Sequence, residues 1–172
     1  MESENNILIV LANKDFRDEE YNIPEAIYKE NGIGIKVAAA DPNDCIGTGG
    51  TIISPDLTFD QVNEDQFDAI MFVGGLGVER YFADESAIGL AKQFYQDKRI
   101  VSAICWAPVI LAKAGIVSGK RVTGSSDSEN DLVAAGGNYT GAEVEIDSNI
   151  ITGNGPEASE KFAQTVTDAI IK

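Results

Sequence analysis

The 172-residue sequence contains no histidine. That absence excludes a Ser-His-Asp or Cys-His catalytic pair drawn from this chain alone. It also leaves any zinc site to cysteine and carboxylate ligands, an uncommon donor set, so neither a metal nor another cofactor is expected. Cysteine is nearly as scarce. Cys45 and Cys105 are the only two, too few for a disulfide framework, and reduced thiols are the expected state. Basic residues are few: 13 Lys and Arg stand against 28 Asp and Glu, for a formal net charge of -15. A surface so poor in cations disfavours nucleic acid and anionic lipid as partners, and it promotes solubility. No apolar run approaches the ~20 residues that span a bilayer. The opening Met-Glu-Ser-Glu-Asn-Asn lacks the basic stretch and apolar run of a secretion signal. A cytoplasmic protein is therefore expected.

What is present suits a folded domain. Hydrophobic residues make up 44% and charged residues 24%, which argues against disorder. One domain over residues 1–172 is expected, large enough to bury about 70% of its unfolded surface without covalent staples. Ile7 to Ala12, Ile35 to Ala40, Ala69 to Val73 and Ile100 to Ile104 are continuous apolar runs, as in strands covered on both faces. Arg121 to Thr123 and Ile150 to Thr152 are shorter candidates. Helical patterns lie between them: Glu20 to Asn31 ending at Gly32, Ser86 to Asp97, Trp106 to Ala114 ending at Gly115, and Ala158 to Ile171. Cys45 to Asp56, rich in glycine, reads as a hairpin or an excursion beside the sheet. Alternating strands and helices predict an α/β fold with a mostly parallel central sheet, whose ligands bind beyond the carboxyl ends of the strands.

Three segments follow predicted strands and carry reactive groups. In Val101-Ser102-Ala103-Ile104-Cys105-Trp106-Ala107-Pro108, a buried strand runs directly into a helix with Pro108 in its first turn. This is the sequence form of a nucleophile elbow. A cysteine there faces unpaired N–H groups and the positive end of a helix, which predicts a lowered thiol pKa. A small thiol packed at a tight junction fits the same local sequence. Val73-Gly74-Gly75-Leu76-Gly77 lets backbone approach a ligand, and the Gly75 and Trp106 N–H groups are candidate oxyanion donors. It matches neither a P-loop nor GxGxxG. Phe16-Arg17-Asp18-Glu19-Glu20-Tyr21 brings acids to the same end of the sheet, where Asp18 and Glu19 read as helix N-terminal charges. Cys45 reads as a loop or edge residue, Trp106 as a pocket wall or core residue, and Arg17 and Arg80 as solvated charges.

These segments together resemble the ThiJ/PfpI superfamily, with its class I glutamine amidotransferase-like fold. The resemblance rests on Ala103 to Pro108, on Gly74-Gly75, on the FRDEE segment ending at Glu20, and on Ile151-Thr152-Gly153-Asn154-Gly155-Pro156 before the last helix. It covers nearly the whole chain. It implies a flavodoxin-like three-layer sandwich and a homodimer or higher homo-oligomer. It also implies a reactive Cys105, a protonated Glu20 facing it, backbone donors at Gly75 and Trp106, and a substrate pocket involving Gly74, Asn154 and Pro156. A carboxylate beside a thiolate is repulsive, so Glu20 should hold its proton well above the usual carboxylate range. Activities in the superfamily include peptidase, glyoxalase or deglycase, isocyanide hydration, chaperone action and oxidative-stress sensing. Peptidase-like members carry histidine directly after the cysteine, where this chain has Trp106. Other members keep a histidine further on, where Ser125 or Ser126 falls here. With Glu20 and water as the only proton carriers, amide cleavage is disfavoured. The expectation is a cysteine-dependent enzyme acting on a small reactive carbonyl. The alternative is a redox-sensing or chaperone-like protein with an oxidisable Cys105.

Overall fold

The computed structural model describes residues 4–172; the Met1–Ser3 start of the N-terminal reading lies outside them. In chain order the elements are β1 (Asn6–Val10), β2 (Lys14–Phe16), α1 (Asp18–Glu30), β3 (Gly34–Ala39), β4 (Cys45–Gly47), β5 (Ile52–Ile53) and β6 (Leu57–Thr58). There follow β7 (Ala69–Phe72), α2 (Glu85–Gln96), β8 (Ile100–Ile104), α3 (Pro108–Lys113), β9 (Arg121–Val122), α4 (Glu129–Ala134), β10 (Asn138–Tyr139), β11 (Val144–Asp147), β12 (Ile150–Gly153) and α5 (Ser159–Ile171).

The four long apolar runs form the centre of a seven-stranded sheet of order β11-β12-β8-β7-β1-β3-β6. Only the β11–β12 pairing is antiparallel. Side chains alternate between two cores. Leu8, Val10, Ile70, Phe72, Val101 and Ala103 pack with residues of α2, α3 and α4 on one face. Ile7, Ile9, Met71 and Ile104 pack with residues of α1 and α5 on the other. Both faces are covered, which is why these strands read as unbroken apolar runs rather than alternating ones. The result is the expected three-layer α/β sandwich.

Strand order reverses around β1: the chain leaves it for β3 on one side and returns to β7 on the other. Such a reversal opens a crevice beyond the carboxyl ends of the strands. The segments after β1, β7 and β8 all emerge there.

The minor candidates behave differently. Arg121 to Thr123 does not enter the main sheet; β9 pairs with β10 alone. The free edge of β12 is taken instead by β11, which folds back through a two-residue turn with Ser148 at φ 57°. Thr123 sends its N–H to the Thr152 hydroxyl (2.9 Å) rather than to a strand ladder. The Cys45–Asp56 excursion forms the β4–β5 hairpin, joined to β2 in a separate three-stranded sheet. Cys45 itself is fully buried in the α1/α5-side core, and burial pushes its thiol up to about 12. Among the described residues no helix is long and apolar enough to cross a membrane.

Candidate active site

Cys105 follows β8 with φ 65°, a left-handed conformation that costs a non-glycine residue about 1–2 kcal/mol. Two backbone bonds hold it there. Its N–H donates to Gly153 O on β12 (2.9 Å), and its carbonyl accepts from Ser125 N–H (2.6 Å). The turn occupies Trp106 and Ala107, so α3 starts at Pro108 rather than at Trp106 as the sequence suggested. Proline as the first helical residue forfeits no intrahelical bond.

Glu20 lies in the first turn of α1 and is completely buried. It meets the cysteine over Gly74. A Cβ on Gly74 would stand 2.7 Å from Glu20 Oε1 and 2.8 Å from Cys105 Cβ, so the missing side chain is what allows the carboxyl and the cysteine to approach. Gly75 is required for a second reason. Its φ is 103°, and a Cβ there would come within 2.6 Å of Arg17 N and Asp15 O. The bare backbone lets the start of α1 rest on the β7 loop, sealed by Arg17 N–H donating to Gly74 O at 3.0 Å.

Neither Glu20 oxygen has a well-formed hydrogen bond. Its polar neighbours are the Cys105 thiol and the Gly74 N–H. Burial pushes the carboxyl up to about 7, against the pull of the thiol and the Arg17 charge. The expected elevation is present. The expected lowering of the thiol is not: Cys105 is pushed up to about 12, first by burial and then by the charge and hydrogen bond of Glu20. The Trp106 and Gly75 N–H groups work in the opposite direction but are outweighed. The two groups titrate as a pair. The first proton leaves near neutral pH, and the second is retained to much higher pH. The proton lost first is that of Glu20, so the singly charged pair holds a carboxylate beside a neutral thiol. Transfer of the thiol proton to Glu20 gives a thiolate facing the Trp106 and Gly75 N–H groups.

The thiol opens into a cavity of about 190 Å³. Leu76, Trp106 and Pro156 form its apolar walls. The Trp106 ring is itself held edge-on against Phe82, with centroids 5.0 Å apart. Arg17, Thr48, Ser125 and Asp127 supply its polar side chains. A larger depression of about 640 Å³, lined by Asn6, Lys36 and Asp65 among others, lies at the amino end of β1 and has no cysteine in its lining.

Cys105, Glu20, Gly74, Gly75 and Trp106 thus converge, and Pro156 joins the cavity wall. Asn154 does not. Its N–H donates to Glu143 O (3.0 Å) and its amide to Gly141 O (3.5 Å), which turns it toward that loop. Arg17, read as a solvated charge, borders the cavity while half exposed and paired with Glu19 at 2.9 Å. Of the serines at 125 and 126, Ser125 lines the cavity. Thr48 and Asp127 carried no signal of a site, and Leu76 was passed over within the glycine-rich segment after β7.

The sequence matches the DJ-1/PfpI family over residues 5–169. The chain belongs to this family. An uncharacterized protein of Methanocaldococcus jannaschii is 38% identical over 169 residues, covering 96% of this chain and 82% of that one. A deglycase of Pyrococcus horikoshii is 33% identical over 150 residues, covering 87% of this chain and 90% of that one. The crystal structure of a ThiJ/PfpI domain protein from Brachyspira murdochii superposes with a TM-score of 0.95 at 35% identity, covering 97% of this chain and 96% of that one. The DJ-1/PfpI fold is therefore retained along essentially the full described chain.

Gly74→Ala tests the close approach. The added methyl is expected to cost about 1–3 kcal/mol, as overpacking does. It should also separate the carboxyl from the cysteine and move the pH dependence of Cys105 alkylation. Urea unfolding and iodoacetamide rates across pH measure the two effects.

Proposed function

We propose that the protein is a cysteine-dependent enzyme acting on small reactive carbonyls, of the glyoxalase or deglycase type. The observation that carries this reading is the fully buried Glu20 facing Cys105 at the floor of a small cavity. A cavity of about 190 Å³ suits a compact substrate rather than a polypeptide. The deglycase name of the Pyrococcus horikoshii relative points the same way.

The chemistry needs one nucleophile and one proton carrier. Glu20 takes the thiol proton, and Cys105 Sγ adds to the aldehyde carbon of a 2-oxoaldehyde. The C=O π pair moves to oxygen, which is held by the Gly75 and Trp106 N–H groups and takes the proton from Glu20. The resulting hemithioacetal loses its C1 proton to Glu20 carboxylate, the electron pair moves onto the C2 carbonyl oxygen, and that oxygen takes the proton back from Glu20, giving an enediol. Return of a proton to C2, with loss of the hydroxyl proton on C1, yields a thioester. Water adds to the thioester carbonyl, the thiolate departs, and a 2-hydroxy acid is released. An amine leaving group would need a second, well-placed acid, which Glu20 alone does not supply, so peptide cleavage fits the site poorly. Formation of glycolate from glyoxal by the purified protein tests the reading. A rate no higher than that of Cys105→Ser would sink it.

The same geometry favours a second reading, oxidation of the thiol. Cys105 opens to the cavity while Cys45 is sealed in the core. Mild peroxide is expected to add oxygen first to Cys105, up to the sulfinic form, with Cys45 unchanged. Peptide-level mass measurement reads the order of oxidation.

A further inference from the structure

We propose that the Ser125 hydroxyl is the donor that holds the second oxygen of a vicinal dicarbonyl joined to Cys105, and so selects such compounds over simple aldehydes. This rests on the carbonyl reading above. Ser125 Oγ is buried and has no hydrogen-bond partner, although the residue lines the cavity beside Cys105. A buried hydroxyl left unpaired costs about 1–3 kcal/mol, so a ligand oxygen that accepts from it is favoured.

The position of that hydroxyl is set by the elbow itself. Ser125 N–H donates to Cys105 O at 2.6 Å, and Ser125 O accepts from the Ser128 hydroxyl at 2.6 Å. Both main-chain groups of Ser125 are therefore engaged, and Oγ is the group left over. The segment is pinned from behind as well. Tyr139 OH donates to Gly124 O at 2.9 Å, and a Cβ on Gly124 would lie 2.9 Å from Cys105 O. These bonds tie the main chain of the Ser125 segment to the cysteine elbow.

The other uncharged side-chain hydroxyl of the cavity is already committed. Thr48 Oγ1 donates to Phe16 O at 3.0 Å. The buried hydroxyls of Ser159 and Thr167 also lack partners, but they belong to α5 and do not line the cavity. Among the described residues Ser125 carries the one buried, unengaged hydroxyl of a residue that lines the cavity.

The division of labour follows from the reaction. The aldehyde oxygen goes to the Gly75 and Trp106 N–H groups. A 2-oxoaldehyde brings a second carbonyl on the adjacent carbon. A neutral O–H aimed at that oxygen binds it, and by polarising C2=O it eases removal of the C1 proton by Glu20. A simple aldehyde has no such oxygen and gains nothing from Ser125.

Protection of Cys105 from iodoacetamide reads adduct formation without requiring turnover. With 2-oxopropanal, Ser125→Ala is expected to weaken protection about fivefold to tenfold, the scale of one hydrogen bond. With propanal, protection should match the unsubstituted protein, as should alkylation with no carbonyl added. Ser125→Gly removes the hydroxyl by a second route and should show the same pattern. Equal weakening for both compounds, or none for either, overturns the proposal. If neither compound protects the unsubstituted protein, the carbonyl reading and this proposal fall together. If protection shows the Ser125 pattern but no hydroxy acid forms, the proposed turnover fails and the role of Ser125 stands.

Discussion

Cys105→Ser should abolish hydroxy-acid formation, lowering the rate by on the order of 10⁴-fold or more, the scale of losing a nucleophile. A hydroxyl in that place keeps the size of the side chain but not its chemistry. It stays protonated at neutral pH, and Glu20 is too weak a base to ionise it. The substitution should leave the fold intact. The elbow is held by the Gly153 and Ser125 backbone bonds, which do not involve the sulfur. Cys105 also packs only at the margin of the α1/α5-side core, as a partly buried residue. The unfolding midpoint of Cys105→Ser is therefore expected to stay close to that of the unsubstituted protein, while initial-rate assays detect no product above background. Retained activity would show that another group carries the chemistry.

Glu20→Gln has the second-largest expected effect, and it has two separable parts. Catalysis should fall by on the order of 10²–10⁴-fold, because the amide has the shape of the acid but cannot relay a proton. The inflection near neutral pH in the alkylation rate of Cys105 should also disappear, since it belongs to the shared proton of the pair.

The second part is stability. Folding raises the Glu20 carboxyl from 4.5 to about 7 through burial. Below pH ~4.5 the group is protonated in both folded and unfolded chains, and its burial is tolerated. Between 4.5 and about 7 the folded chain binds more protons than the unfolded one, so stability falls as pH rises. Above that window the full loss, about 3 kcal/mol at 1.36 kcal/mol per unit, has been incurred. A glutamine avoids it. Glu20→Gln should thus be close to the unsubstituted protein in stability at pH 4.5 and clearly more stable at pH 8. Thermal or urea unfolding at the two values checks the sign. A stabilised but inactive variant is the outcome expected of a carboxyl kept in the core for function. Equal stability differences at both values would mean that Glu20 is not strained by its burial.

The unpartnered oxygens of Glu20 fit this picture. Buried polar groups are nearly always hydrogen-bonded, and exceptions call for a reason. In the proposed reaction Glu20 exchanges a proton with Cys105 and a substrate, and it is left without well-formed partners. Asp18, two residues earlier, shows the contrasting design. It accepts from the N–H groups of Gly49 (2.6 Å) and Thr51 (2.9 Å), and although burial works against it, those bonds hold its carboxyl below the usual range. Asp18 anchors the β4–β5 hairpin, and that placement leaves Thr48 at the cavity edge. The adjacent acids of this helix turn divide into an anchor, a surface partner for Arg17 and a buried carboxyl facing Cys105.

Much of this protein follows from its sequence alone. Unbroken apolar runs alternating with helical patterns determined the α/β class, since strands covered on both faces leave no polar alternation. Glycine pairs and a strand running straight into Pro108 marked the turns at the carboxyl ends of β7 and β8. The absence of histidine by itself narrowed the chemistry to a thiol and a carboxyl. Local pattern could not settle the edge of the sheet. Arg121–Val122 and Val144–Asp147 are similarly short, and only the packing decided that the second pairs with β12. Nor could it settle the thiol. The elbow motif accounts for amides near the sulfur, but the burial of Cys105 and the carboxyl brought against it are long-range facts, and they reverse the expected shift. The same holds for Ser125, which reaches the cavity because a loop after β9 is tied to the cysteine's own carbonyl. The sequence by itself determined which groups were available and which strand ends would present them. The tertiary structure decided their pairing and protonation, because both depend on which segments, distant in the chain, are driven into the same dry space.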